Sequence, residues 1–484
     1  MSVRVRMAPS PTGEFHIGSM RTFLYNWAFA KQKGGKLVLR IEDTDRTRYV
    51  PGSLERLLKV IKDYGLDWDE GPEVGGPHSP YVQSERLELY KKYAEDLIAK
   101  GKAYYCFCTE EDLLNMREKQ KSMGLATTKY DKRCLGLSPE EIKEKLESGV
   151  PHVIRLNVPE NEEISFYDYI LGETSVNSND IDDQILLKSD GFPTYHLGVV
   201  VDDHLMGITH IIRGVEWLPS TPKHILLYKY FGWEIPLIAH LPVLKEIGSN
   251  VKMSKRHGGV FAIDFLREGY LPEAVLNFLM FLGWNPGTEK EIYSLEEFVA
   301  DFSLEKVHKT DLVSFDRQKL LWMNGYYIRQ LTSSELWKKV KKWAIDFDVD
   351  LGIGEADDTY MIEITELIKE RMKLLSEFPA LISYFFIDPT VPTEELIAFG
   401  KGKTKDILKD FIDLYSNISV WDTSTLDQVS HEALETFGYS AKEAFMTIRI
   451  AVSGQKATPP LFEFLSKIDK ETVLKRLRKS LETL

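Results

Sequence analysis

The stretch Arg6-Met-Ala-Pro-Ser-Pro-Thr-Gly-Glu-Phe-His-Ile-Gly-Ser19 constrains this chain more than any other. Before it, Val3, Val5 and Met7 alternate with polar residues, which predicts a short strand. After it, Met20, Phe23, Leu24, Trp27 and Ala28 recur at helical spacing, and Gly34-Gly35 ends the run. The stretch therefore reads as a strand, a Pro/Gly turn and a helix that starts near His16 or Ile17. A helix start offers free backbone N–H groups and the positive end of the dipole, both suited to a phosphate. Gly18 has no Cβ to hold a nucleotide away from the backbone, and His16 could donate to a phosphate oxygen.

His16-Ile17-Gly18-Ser19 alone is also compatible with an ordinary strand-to-helix turn. Far downstream stands Val251-Lys-Met-Ser-Lys-Arg256, bracketed by Gly248 and Gly258-Gly259. Such a cationic loop could close over a triphosphate and stabilise the charge that develops as pyrophosphate leaves. Alone it is equally a solvated basic turn. The two in this order are far more restrictive.

The pair resembles the two signatures of class I aminoacyl-tRNA synthetases. Arg6-Met-Ala-Pro-Ser-Pro-Thr-Gly13 with Arg40-Ile-Glu-Asp-Thr-Asp45 resembles the glutamyl-tRNA synthetases in particular. Leu187–His196, Val200–His204 and Ile211–Gly214 match the same family. The resemblance implies a ligase that joins L-glutamate to AMP, using ATP and Mg²⁺, then transfers it to the 3′-terminal adenosine of tRNA(Glu). By the same resemblance, His16, Gly18, Ser19, Met253, Ser254 and Lys255 bind ATP, and His16, Gly18, Lys252 and Lys255 carry the catalysis. Glutamate falls to Arg6, Ala8, Ser10, Glu42, Tyr195 and Arg213. Arginine suits a carboxylate because its planar fork makes two parallel hydrogen bonds. Glu216 and Trp217 follow Arg213 closely enough to line the same pocket.

All three cysteines lie close together in the chain, as Cys106-Phe-Cys108 and Cys134, with Tyr130 between them. Some relatives hold zinc with such a set. Zinc prefers four ligands and takes thiolates well, but Gly136 stands where some relatives have a His or an acid. A zinc on Cys106, Cys108, Tyr130 and Cys134, or three unligated thiols, both stay open. Three cysteines do not make a disulfide framework, and a reducing cytoplasm is the default.

The expected fold class is α/β: a Rossmann-like class I catalytic domain with an insertion, followed by an all-α region. The catalytic halves fall at 1–105 and 186–259, around an acceptor-stem-binding insertion at 106–185. A connecting stem-contact region spans 260–325, read as helical with turns. His240–Leu244 reads as one strand delivering the lysine loop. The α-helical anticodon-binding region spans 326–484. Helical periodicity runs throughout it, for example over Leu336–Phe347, Met361–Glu377, Glu394–Tyr415, Ala441–Val452 and Pro460–Leu481. Arg371, Thr458 and Leu461 resemble anticodon-contacting residues, and the resemblance leans toward glutamate over glutamine tRNA. Lys467, Lys470, Lys475, Arg476, Arg478 and Lys479 form a basic patch that reads equally as an RNA surface or a solvated helix face.

The formal net charge of −13 argues against binding by bulk positive charge. The apolar run around residues 274–284 is too short to span a bilayer. The N-terminus has no secretory h-region, and the family default is a monomer. Rival readings are a form that also charges glutamine tRNA, a non-catalytic tRNA-binding paralogue, and a small-molecule ligase of the same superfamily.

Overall fold

The computed structural model describes residues 2–125, 128–248, 253 and 259–484. It divides into two compact units. The first comprises Met1–Asp264 with Val275–Arg317, and the second Phe265–Ala274 with Gln318–Leu484.

Among the described residues the first unit combines parallel and antiparallel strand pairs in four small sheets. Strand β1 (Arg4–Met7) leads into helix α1 (Ile17–Gln32), and β2 (Lys36–Leu39) returns parallel to β1. This is the strand, turn and helix expected from the opening motif. Helix α1 is buried nearly all round, and Phe23 and Leu24 are fully enclosed. Each such side chain contributes about 1.5–3 kcal/mol relative to exposure. The Gly34-Gly35 stop has two separate causes. Gly34 takes a left-handed φ of 58°, and a Cβ on Gly35 would lie 2.3 Å from the Val3 carbonyl oxygen.

Helix α2 (Ser53–Asp63) and helix α3 (Leu87–Ala99) follow, then β3 (Ala103–Cys106), α4 (Glu110–Ser122), α5 (Pro139–Glu147) and β4 (Val153–Leu156). Next come the hairpin of β5 (Glu163–Asp168) and β6 (Gly172–Asn177), then β7 (Ile185–Leu187) and α6 (Tyr195–Leu205). Strand β8 (His210–Gly214), α7 (Thr221–Phe231), β9 (Leu237–Leu241) and β10 (Val243–Glu246) close this part. Strands β3, β4 and β7 make a small antiparallel sheet. Strand β8 runs parallel to β9, and β9 parallel to β5, so the β5–β6 hairpin extends the catalytic sheet. Beside β1, the Thr209 backbone N–H donates to the Arg4 carbonyl at 2.9 Å, which brings the start of β8 alongside.

Two expectations for this unit are corrected. His240–Leu244 is not one strand. It breaks at Pro242, which has no N–H for the ladder; β9 pairs with β8 on one side of the break, and β10 pairs with β11 (Leu312–Phe315) on the other. Strand β11 also lies in the stretch read as helices and turns. It is four residues long, too short to show a period of two against its helical neighbours.

The second unit is helical among its described residues. Its core gathers Trp337, Phe378, Phe411, Ile448, Phe464 and Leu477 among others. Three expected long helices are broken. Met361–Glu377 leaves regular helix at Ile368 and continues as short 3₁₀ turns. Glu394–Tyr415 is split at Lys401 and Gly402, both at positive φ. In Pro460–Leu481, Asp469 caps a new start by accepting from the Thr472 N–H. Helices Phe378–Phe386 and Thr423–Phe437 add to the expected examples in a region read as helical throughout. The second is framed by an Asp422 cap and a left-handed Gly438, both readable from sequence.

Candidate active site

A cavity of about 740 Å³ opens at the C-terminal ends of β1, β2 and β8, the end where open α/β sheets bind ligands. Arg6, Ala8, Ser10, Glu42, Tyr195 and Arg213 line it, and so do His16, Gly18 and Ser19. The structure thus brings the expected glutamate residues together with His16, Gly18 and Ser19 of the expected ATP set, whereas Met253 is not among the lining residues. Thr44, Lys188 and Thr194 also line the cavity and were not foreseen as site residues. Glu216 and Trp217 line it beside Arg213, as expected from the sequence.

The start of α1 departs from expectation. Its backbone N–H groups are already satisfied. Ile17 N–H donates to the Val260 carbonyl at 2.8 Å, Gly18 N–H to His16 Nδ1 at 3.0 Å, and Ser19 and Met20 N–H to the His16 carbonyl. What the helix start itself still offers a phosphate is its dipole. Because Nδ1 accepts from Gly18, the His16 proton sits on Nε2.

The Val260 contact also places the far end of the lysine loop. Val260 and Phe261 run back against Phe15 and His16. At the near end, the Met253 N–H donates to the Leu244 carbonyl at 2.8 Å, and Met253 is buried. Val243 and Leu244 line the cavity. Lys252, Ser254 and Lys255 lie outside the described residues.

Beneath the cavity is a buried network of charges. Arg6 Nε donates to both Asp203 oxygens at 3.3 Å. Arg40 Nη1 donates to Asp203 at 2.7 Å, and its Nη2 to Glu42 at 3.0 Å. Arg86 Nε, Gln83 and the Tyr90 hydroxyl all donate to Asp202. Each buried charge is thereby paired, as burial requires. Burial pushes the Asp203 carboxyl up, but Arg6 and Arg40 outweigh that and hold it below the usual range. Glu42 ends above its usual range because burial exceeds the pull of Arg40; a substrate ammonium would bring it down again. The Arg6 fork, Nη1 and Nη2, makes no other hydrogen bond among the described residues.

Arg213 is held differently. Its Nε donates to His240 Nε2 at 3.1 Å, Nη1 to the Tyr195 hydroxyl at 2.9 Å and His224 Nδ1 at 3.3 Å, and Nη2 to the Thr221 hydroxyl at 2.8 Å and the Trp217 carbonyl at 3.4 Å. None of these acceptors is a carboxylate. A buried cation with only neutral partners is costly unless an anion arrives to pair with it.

The three sulfurs of Cys106, Cys108 and Cys134 lie within 4.8 Å of one another. Cys108 and Cys134 Sγ are 3.6 Å apart, and the Tyr130 hydroxyl is 3.3 Å from the sulfurs of Cys106 and Cys108. A tetrahedral zinc with usual bond lengths wants about 3.8 Å between sulfurs and about 3.5 Å from sulfur to oxygen. The four side chains fit that geometry. The Cys106 thiol is drawn down to about 4, first by the Cys134 thiol and then by Tyr130 and Arg155 against burial.

In the helical unit, Arg371 Nη2 donates to the Ala457 carbonyl at 2.9 Å, so it joins the Thr458 loop across 86 residues. Arg449 Nη1 donates to the Thr458 hydroxyl and to the Pro459 carbonyl. Leu461 is buried in the helical core, where it can hold that loop. The basic patch is largely spent within the fold. Arg476 is 4% exposed and bonded to Asp388, Tyr384, Ile387 and Val452. Lys467 pairs with Glu363, Lys475 with Asp388, and Lys470 caps the carbonyls of Ser416 and Ile418.

Residues 2–322 match the family described as tRNA synthetases class I (E and Q), catalytic domain, and residues 335–481 match the anticodon binding domain. Glutamate–tRNA ligases from Clostridium kluyveri and Clostridium tetani are 42% and 43% identical over all of this chain and 98% of each relative. The chain belongs to the glutamate–tRNA ligases. A solved glutamate tRNA ligase from Elizabethkingia meningosepticum, in complex with its amino acid, superposes over the full length of both chains with a TM-score of 0.90 at 36% identity. The Rossmann-like class I sheet and the helical C-terminal region expected from the sequence are therefore those of this ligase family. No described helix is long and apolar enough to cross a membrane.

Proposed function

We propose that the chain activates L-glutamate with ATP in the 740 Å³ cavity and passes the glutamyl group to the 3′-terminal adenosine of tRNA(Glu). The observation that carries the assignment of substrate is Arg213, a buried cation at the cavity wall whose acceptors are all neutral. A carboxylate side chain would complete it, whereas a carboxamide would leave the charge unpaired.

In this reading the Arg6 fork and Ser10 take polar groups of glutamate, and Glu42 receives its ammonium. The Tyr195 hydroxyl accepts from Arg213, which leaves its proton for a substrate oxygen. His16 donates from Nε2 to a phosphate oxygen, and Gly18 and Ser19 lie beside the nucleotide. Attack on the α-phosphorus needs positioning more than covalent help. Lys252 and Lys255, with Met253 and Ser254, are assigned by the family motif to supply charge to the leaving pyrophosphate, and the described residues Met253 and Val260 bond to Leu244 and to the α1 start. Mg²⁺, carried by the triphosphate, shares that charge.

The 106–185 segment is read as the acceptor-stem insertion, with a structural zinc on Cys106, Cys108, Cys134 and Tyr130. Such a zinc would tie the turn after β3 to the loop that carries Tyr130 and Cys134. Residues 326–484 are read as the anticodon reader, with Arg371 and the Thr458–Leu461 loop at its centre. The unpaired thiols accord with a reducing cytoplasm, and the family default of a monomer is retained.

The test is aminoacylation by the purified chain with ATP, Mg²⁺ and radiolabelled glutamate, on separate glutamate and glutamine tRNA transcripts. Charging of the glutamate transcript alone is expected. Charging of both would discard the discriminating role of Arg371, and charging of neither would overturn the assignment.

A further inference from the structure

Arg6 and Arg40 meet a carboxylate directly, at Asp203. The chain could have met Arg213 the same way, because Asp168 is close. Instead an imidazole stands between them. His240 Nε2 accepts from Arg213 Nε at 3.1 Å, so the ring's proton is on Nδ1, and Nδ1 faces Asp168 Oδ2 at 2.5 Å. The other Asp168 oxygen is taken by the backbone N–H groups of Ile170 and Leu171, both at 2.9 Å. His240 and Asp168 are both fully enclosed.

A second imidazole repeats the arrangement. His224 Nδ1 accepts from Arg213, so its proton on Nε2 points to His196 Nδ1 at 3.1 Å. Both rings that touch Arg213 are thus set as neutral acceptors by their other contacts. Burial keeps them so, pushing His240 below its usual range and His224 well below it.

We propose that His240 is a positioning residue for substrate choice: it aims the Arg213 guanidinium while keeping the Asp168 charge one ring away, so that the positive charge of Arg213 is left for the substrate's side-chain carboxylate. The identity of residue 240 then sets the preference for a carboxylate over a carboxamide. This rests on the glutamate-activating reading above. Asp168 contributes from the β5–β6 hairpin, which lies within 106–185 in the chain, so that hairpin is coupled to amino acid selection.

The experiment compares the full-length chain with His240→Gln, His240→Glu and the double variant His240→Glu with Asp168→Asn. KM for glutamate, KM for ATP and the rate with glutamine are measured in tRNA charging. Glutamine at 240 can still accept from Arg213 and donate to Asp168, so its glutamate KM should stay within a few-fold of wild type. Glutamate at 240 places a carboxylate on Arg213. Its KM for free glutamate should rise on the order of 10²-fold, its preference over glutamine should fall at least about 10-fold, and KM for ATP should hold. The double variant removes the clash of two carboxylates and carries the same test where the single variant does not fold. A folded variant with a carboxylate at 240 and an unchanged glutamate KM overturns the proposal. So does a His240→Gln chain as impaired as His240→Glu, since that would mark a packing role alone. A wild-type chain that charges no tRNA with glutamate instead overturns the activity on which the proposal rests.

Discussion

Arg6 and Arg213 are kept in one cleft by different means. Arg6 spends its Nε on Asp203 and keeps its fork, whereas Arg213 is surrounded by neutral acceptors and keeps its charge. The first suits geometric recognition of a carboxylate, the second recognition by charge. Lys255 belongs at the same scale, since it is the loop residue assigned to the departing pyrophosphate. Lys255→Ala should slow adenylate formation on the order of 10²-fold or more by removing charge stabilisation that exists only in the transition state. Filter-binding affinity for tRNA should barely change, and full adenylation activity in this variant would remove the loop from the mechanism. Arg6, Glu42, Tyr195 and Arg213, all of which line the cavity, could be named as candidates because each lies in a stretch that resembles the family's motifs. Asp203, 197 residues from Arg6, and His240, 27 residues from Arg213, were not assigned roles. Nothing in their neighbourhoods tells which cation they will meet.

Helix α1 shows how an element can be right in outline and different in detail. Its start and stop follow the sequence, yet its N-terminal donors are consumed by His16 and Val260. The break at Pro242 is exploited by the same helix. Arg21, buried on α1, donates to the Pro242 carbonyl and to the Leu282 carbonyl at 3.0 Å. Through it, the first signature is fastened to the strand that leads to the second. In the 106–185 segment, β3 ends on Cys106, the turn after it carries Cys108, and a loop carries Tyr130 and Cys134. If zinc joins them, the purified chain should contain about one zinc per chain by elemental analysis. Stripping it at neutral pH with a chelator should release the 106–185 segment to proteolysis. A zinc-free preparation with unchanged protease resistance would leave three unligated thiols.

The whole chain carries two recognisable parts, a catalytic family match at 2–322 and an anticodon-binding match at 335–481. A single tRNA is the natural link between chemistry in one and reading in the other. Arg371→Gln should therefore raise the kcat/KM for the glutamine transcript relative to the glutamate transcript, by roughly 10-fold for one lost charge-assisted contact. KM values for ATP and glutamate should not move. A ratio between transcripts that stays at the wild-type value would return Arg371 to a purely structural place beside Ala457. The net charge of −13 is a property of the whole chain, and most of the C-terminal basic patch is paired within the fold. Arg476, Lys467, Lys470 and Lys475 are committed to Asp388, Glu363 and backbone carbonyls, while Arg478 and Lys479 are exposed.

By itself the sequence determined the strand–turn–helix of the opening motif, the α/β class, the helical C-terminal region and the family of chemistry. Those depend on local periodicity, on glycine and proline, and on short motifs whose residues act near one another in the chain. Only the tertiary structure decided where the helices of the second unit break, how Pro242 divides a strand, and which charges are paired. It alone showed that Arg213 is left without a carboxylate while Asp168 waits behind an imidazole. The reason is physical: whether a buried charge is paired depends on atoms within about 4 Å, and here those atoms arrive from strands far apart in the chain.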